Sequence, residues 1–143
     1  MVRYVIVSIG SGILFGVLDG LINANPLAQK LYAVYTPIAR VSVNIFAGIA
    51  IDLVYGFIMA AVFLVLYKSL PGKTGLAKGI SFAFLAWFFR VVMSVSSSWM
   101  MFNLPAVTLL YTLVAGLVEM LILGVLYGLT LKTGALRQSV ICE

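Results

Sequence analysis

Residues 43–67 read VNIFAGIAIDLVYGFIMAAVFLVLY, twenty-five positions with a single ionisable residue, Asp52. A bilayer core about 30 Å thick is crossed by about 20 apolar residues in a helix, so a stretch of this length reads as a transmembrane span. Three further stretches meet the same criterion, Tyr4 to Ile22, Gly79 to Met101 and Pro105 to Leu131. Together the four account for most of the 143 residues, and the remaining segments are too short for a soluble domain. Composition agrees: 64% apolar residues, 9% charged residues and a mean hydropathy of +1.19 lie outside the range of soluble globular domains. The expected fold is therefore all-α, an integral membrane four-helix bundle. It forms a single transmembrane domain over 1–143, with spans at about 4–22, 43–67, 79–101 and 105–131.

Orientation follows from the basic residues, because flanking Lys and Arg stay cytoplasmic far more often than they cross. Arg3, Lys68, Lys73, Lys78, Lys132 and Arg137 fall on one side, whereas Lys30 and Arg40 fall on the other. Both termini are expected inside, in a multi-pass protein of the cell membrane. The net charge of +5 is then a topological signal. No nucleic-acid partner is expected, since no soluble basic face exists to hold a phosphate backbone. Arg3 before an apolar stretch also resembles a signal peptide, but the four glycines, the aspartate and the ending Asn23-Ala24-Asn25-Pro26 argue for a retained span. Cys142 is the lone cysteine, so no internal disulfide is possible.

The connections carry their own signals. In the first external loop Asn25 can cap a helix with Pro26 in its first turn, and Leu27, Leu31, Tyr32 and Tyr35 recur at helical spacing. A short amphipathic helix at the outer interface is expected there, and it is placed to cover whatever lies beneath. Pro71-Gly72-Lys73-Thr74-Gly75 echoes a phosphate-binding loop, but Tyr67 stands where the motif needs a glycine and no strand precedes it. It reads as a tight turn. Asn103 and Pro105 mark another, and Tyr4, Tyr67, Tyr127 and Trp99 read as interfacial anchors.

Each span carries one ionisable residue inside it: Asp19, Asp52, Arg90 and Glu119. A charge at membrane depth costs roughly 2.5 to 3.5 kcal/mol on insertion scales, so four of them call for a common explanation. Helical spacing supplies it. Ser8, Gly12, Gly16 and Gly20 form a small ridge beside Asp19, while Gly48, Asp52, Gly56 and Ala60 form a second. Ala83, Ala86, Arg90, Ser94 and Ser97 make a third stripe; Thr112, Ala115, Gly116 and Glu119, extended by Gly124 and Gly128, make a fourth. Small residues let membrane helices approach closely, so every charge stands on or beside a packing face. The expected ligand or ion seam comprises Asp19, Asp52, Arg90, Glu119, Ser94, Ser97 and Thr112. Asp52 and Glu119 are the favoured partners of Arg90.

Three seam acids face one guanidinium. The excess is met by a proton on one acid, Glu119 as the deepest, or by a bound cation or cationic ligand. There is no histidine, and no nucleophile is followed by a base in a recognisable pattern, so no catalytic residue, metal site or cofactor is expected. Two functions remain open. One is a non-enzymatic protein that binds or moves a proton, cation or small polar solute as a homo-oligomer, with the Ser8-Gly12-Gly16-Gly20 ridge as interface. The other is an accessory subunit docked by its glycine faces to partner membrane subunits, its charges forming a buried staple. In both, the lipid bilayer is the medium.

Overall fold

The computed structural model describes residues 2–37 and 44–131. Its helices are α1 (Val2–Ala24), α2 (Pro26–Tyr32) with a 3-10 turn at Ala33–Tyr35, α3 (Ile45–Leu66), α4 (Gly75–Trp87), α5 (Met93–Met101) and α6 (Ala106–Thr130). A π turn, Phe88–Val92, joins α4 to α5, so Gly75–Met101 is one continuous rod. Four helices are thus long and apolar enough to cross a membrane, which marks a multi-pass membrane protein. Arg40, Lys132, Arg137 and Cys142 lie outside the described residues.

Local chemistry sets the ends. The side chain of Asn25 accepts the Leu27 N–H at 3.0 Å, with Pro26 in the first turn of α2. Asn44 caps α3 by accepting the Ala47 N–H at 3.2 Å. Thr74 accepts the Ala77 N–H at 3.2 Å, so the third rod begins at Gly75, four residues before the expected 79. Lys78 is accommodated inside that first turn because its Nζ reaches back to donate to the Tyr67 carbonyl at 2.6 Å and lies 4.5 Å from the Tyr67 ring. Gly72 takes a φ of +125°, which L side chains rarely adopt, and this turns the chain between α3 and α4.

Glycine contacts show how the rods pair. A Cβ on Gly56 would stand 2.6 Å from the Gly12 nitrogen, and one on Gly12 would stand 2.8 Å from the Leu53 Cα. Gly79, Gly124 and Gly128 bring α4 and α6 equally close, while Gly116 admits the Val91 side chain, where a Cβ would meet it at 2.7 Å. In both pairs residue number rises on one helix as it falls on the other, so α1·α3 and α4·α6 are antiparallel. The pairs join through α1 and α6, with the Tyr111 hydroxyl donating to the Ile22 carbonyl at 3.1 Å. Near the Arg3 and Lys78 end they are sealed by Phe63, Phe82 and Tyr127. Phe63 stacks on Tyr127 at 5.7 Å between ring centres and meets Phe82 edge-on at 5.2 Å.

Three sequence expectations are corrected here. Tyr127 is fully buried in that aromatic seal and is no interfacial anchor. Ser8, Gly12 and Gly16 are occupied against α3, so the ridge is not a free surface for a second copy. Among the described residues Gly20 and Gly48 have open space where a Cβ would stand, and so make no close helix contact. The last close contact of this ridge is at Gly16, where a Cβ would stand 2.8 Å from Asp52 Oδ2. The outward faces carry exposed apolar side chains such as Ile6, Ile13, Phe46, Ile51 and Val65, the surface an acyl-chain environment accepts.

Candidate functional site

Arg90 stands between the two helix pairs, against Phe15 of α1, Tyr55 of α3 and Glu119 of α6. It stands in the middle of the π turn, whose Met93 N–H donates to the Phe88 carbonyl five residues back. Such wide turns absorb one extra residue. Downstream of Ala83 the buried positions are therefore Val91 and Val95, not the Ser94 and Ser97 of an unbroken α-helix. Arg90 Nη1 donates to Glu119 Oε2 at 3.2 Å, the one ion pair among the described residues. Its guanidinium carbon also lies 4.4 Å from the centre of the Phe15 ring and 4.7 Å from that of Tyr55, two rings whose own centres are 4.7 Å apart with their planes tilted by 34°. One arginine thus ties together α1, α3, the third rod and α6.

Glu119 is 5% exposed, and its second oxygen, Oε1, is buried with no hydrogen-bond partner. The residue forms part of the wall of a cavity of about 190 Å³. From α1 this cavity takes Asp19 and Asn23, from α2 Tyr32, from the third rod Arg90 and Ser94, and from α6 Thr112 and Glu119. Ile22, Val91, Ala115 and Gly116 complete it with apolar surface. Asp19 is exposed, at the rim, and Asn23 Nδ2 donates to its carboxylate at 3.0 Å and to its carbonyl at 2.8 Å.

Helix α2 forms one side of the cavity because α6 holds it there. Ala28 is fully buried, the Thr108 hydroxyl donates to the Leu31 carbonyl at 3.2 Å, and the Tyr32 and Tyr111 rings meet edge-on at 6.0 Å. Tyr32 and Thr112 share a hydroxyl contact of 3.3 Å. In the turn after α2, burial and then the neighbouring Tyr32 push the Tyr35 phenol above its ordinary range, so it stays neutral at physiological pH.

Of the residues expected in the seam, Asp19, Arg90, Glu119, Ser94 and Thr112 share this one cavity. Asp52 faces Gly16 instead and forms no ion pair with Arg90 within 4.0 Å, so the expectation that Arg90 bridges two acids is corrected to one. Ser97 is exposed and outside the cavity wall, displaced by the extra residue of the π turn. Phe15, Tyr55 and Asn23 went unread in the sequence, whereas Tyr32 belongs to the short helix expected to cover whatever lies beneath. Helical spacing held a signal for the three, since Phe15 and Asn23 stand one turn either side of Asp19, and Tyr55 one turn after Asp52.

No curated protein and no solved structure matches the chain. A family model does match, and it covers residues 5–139, nearly the whole sequence and all of the four long helices but the first three residues of α1. The chain therefore belongs to DUF6789, a family of unknown function.

Proposed function

We propose that this chain is a non-enzymatic membrane protein that binds or moves a proton, a cation or a small polar solute through the Asp19–Arg90–Glu119 cavity. In this reading it works as a homo-oligomer in the cell membrane. The end carrying Arg3, Lys68, Lys73 and Lys78 faces the cytoplasm, as the basic-residue bias favours. Helix α2 then lies at the outer surface beside the cavity mouth.

The observation that supports it best is Glu119 Oε1, buried and unpartnered in a residue of the cavity wall. An acceptor left without a donor costs about 1 to 3 kcal/mol, and more when charged, on top of the cost of a carboxylate at membrane depth. Both costs fall on one side chain beside a polar cavity, where a proton, ion or polar solute would offset them. The test is reconstitution into liposomes with an internal pH dye. PH-linked solute flux is expected for the native chain and is expected to vanish in Glu119→Gln; flux unchanged in the variant would remove the reading.

The four-helix contact of Arg90 favours a second reading, an accessory subunit whose charges act as a staple. Co-migration with unrelated subunits after purification in mild detergent would favour it, whereas a stable homo-oligomer favours the carrier.

A further inference from the structure

The rods pair as α1·α3 and α4·α6 and the pairs join through α1 and α6, so α3 and the third rod, although consecutive, flank an open side of the bundle. They touch at Phe63 and Phe82, and outside that contact a groove runs between them. Two adjoining hollows of about 370 and 500 Å³ make it up, sharing Leu66 and Leu85. Its wall is apolar along its length, with Ser69 and Ser81 at the loop end and Tyr55 and Arg90 at the other. Along α3 the wall runs from Leu66 back to Tyr55, about 16 Å at about 1.5 Å per residue. That is half of a hydrocarbon core about 30 Å thick, the depth of one leaflet.

Positive charge gathers at the loop end. The Lys78 ammonium is fixed there, donating to the Tyr67 carbonyl at 2.6 Å and facing the Tyr67 ring, and two of its three N–H groups remain. Ser81, one turn further on, donates to the Pro71 carbonyl at 3.1 Å, which holds the start of α4 against the loop. Lys68 and Lys73 are exposed on the same loop. No acid among the described residues shares this end: Asp19, Asp52 and Glu119 lie beyond the Phe63–Phe82–Tyr127 seal, and the one ion pair is Arg90–Glu119. Three lysines without a counter-charge, beside an apolar groove one leaflet deep, are complementary to an anionic head carrying a hydrocarbon chain. A soluble anion has no use for the groove, and an uncharged lipid none for the lysines. A second copy, inserted with the same orientation, would bring its own lysines to the same depth.

We propose that the groove between α3 and the third rod is a binding site for an anionic phospholipid, its phosphate beside Lys68, Lys73 and Lys78 and one acyl chain lying along Leu66, Leu85 and Phe88. The site does not depend on what the polar cavity binds.

The test is native mass spectrometry of the full-length chain, equilibrated in mild detergent with equal amounts of phosphatidylglycerol and phosphatidylcholine bearing the same acyl chains. Retention of one phosphatidylglycerol per chain is expected, favoured over phosphatidylcholine by at least about tenfold. Lys68→Gln with Lys73→Gln, both at exposed positions, should remove most of that preference, about fivefold for each lysine. Leu85→Trp, which fills the groove, should weaken phosphatidylglycerol by about tenfold, the effect of displacing two methylenes, with helix content checked by circular dichroism. Glycerol 3-phosphate, a phosphate head without a chain, should leave the lipid in place. Equal retention of the two phospholipids, a preference unchanged in the lysine pair, undiminished binding in Leu85→Trp or displacement by glycerol 3-phosphate would overturn the proposal. So would a dimer without retained lipid that Leu85→Trp dissociates, the sign of a second copy in the groove.

Discussion

Arg90 and Glu119 are held by different means, and this makes the staple and the ligand site separable by mutation. The guanidinium keeps partial access, its side chain 35% exposed, while the Glu119 side chain is 6% exposed. Removing one partner of a buried pair leaves an uncompensated charge, whereas replacing both with apolar groups of similar volume is often neutral or stabilising. Glu119→Leu alone should therefore cost about 2 kcal/mol, below the usual range of about 3 to 5 kcal/mol because Arg90 retains some solvation. Arg90→Leu combined with Glu119→Leu should recover most of that in chemical unfolding of the detergent-solubilised protein. Equal losses in the single and double variants would show that the pair is not a unit. Ligand binding should fail in both, whatever the stability. Tyr55→Leu tests the other hold on Arg90: loss of a desolvated cation–π contact should lower unfolding stability by about 1 kcal/mol while the ion pair persists.

Between helices, the glycines divide into those that a side chain would wedge apart and those it would not. Gly56→Ala puts a Cβ 2.6 Å from both the Gly12 nitrogen and the Ser8 carbonyl oxygen, backbone atoms that cannot swing aside, so α1 and α3 must separate. Overpacking of this kind costs about 1 to 3 kcal/mol, and Gly20→Ala, with open space around it, should be neutral or slightly stabilising. Comparative thermal melting of the two variants checks the difference; equal melting points would refute the close packing. The same glycines mark what the sequence could and could not disclose. Spans, the Asn25 cap and the small faces are local or periodic properties, and the structure places Gly12, Gly16, Gly56, Gly116, Gly124 and Gly128 at close contacts. Gly20 and Gly48 continue the same spacing but meet no neighbour, a matter of tertiary arrangement that periodicity does not carry. The π turn is likewise silent in Ala83-Ala86-Arg90-Ser94-Ser97, where regular α spacing is unbroken. It is this turn that moves Ser97 off the cavity wall and sets Arg90 between Phe15, Tyr55 and Glu119.

At the level of the whole molecule the bundle is asymmetric along its axis. One end, with Arg3, Lys68, Lys73 and Lys78, is closed by Phe63, Phe82 and Tyr127; the opposite end holds the cavity, with α2 beside it. Which compartment the cavity faces is therefore decided by orientation alone. If the basic end is cytoplasmic, the cavity receives its occupant from outside, and the aromatic seal is the barrier to be crossed on the inner side. Single-cysteine variants in a Cys142→Ser background decide the matter, because Lys73 and Gln29 are both exposed and stand at opposite ends of the rods. Gln29→Cys should react with a membrane-impermeant maleimide on intact cells, and Lys73→Cys only after permeabilisation. The opposite pattern would turn the molecule over and place Asp19 at the cytoplasmic face.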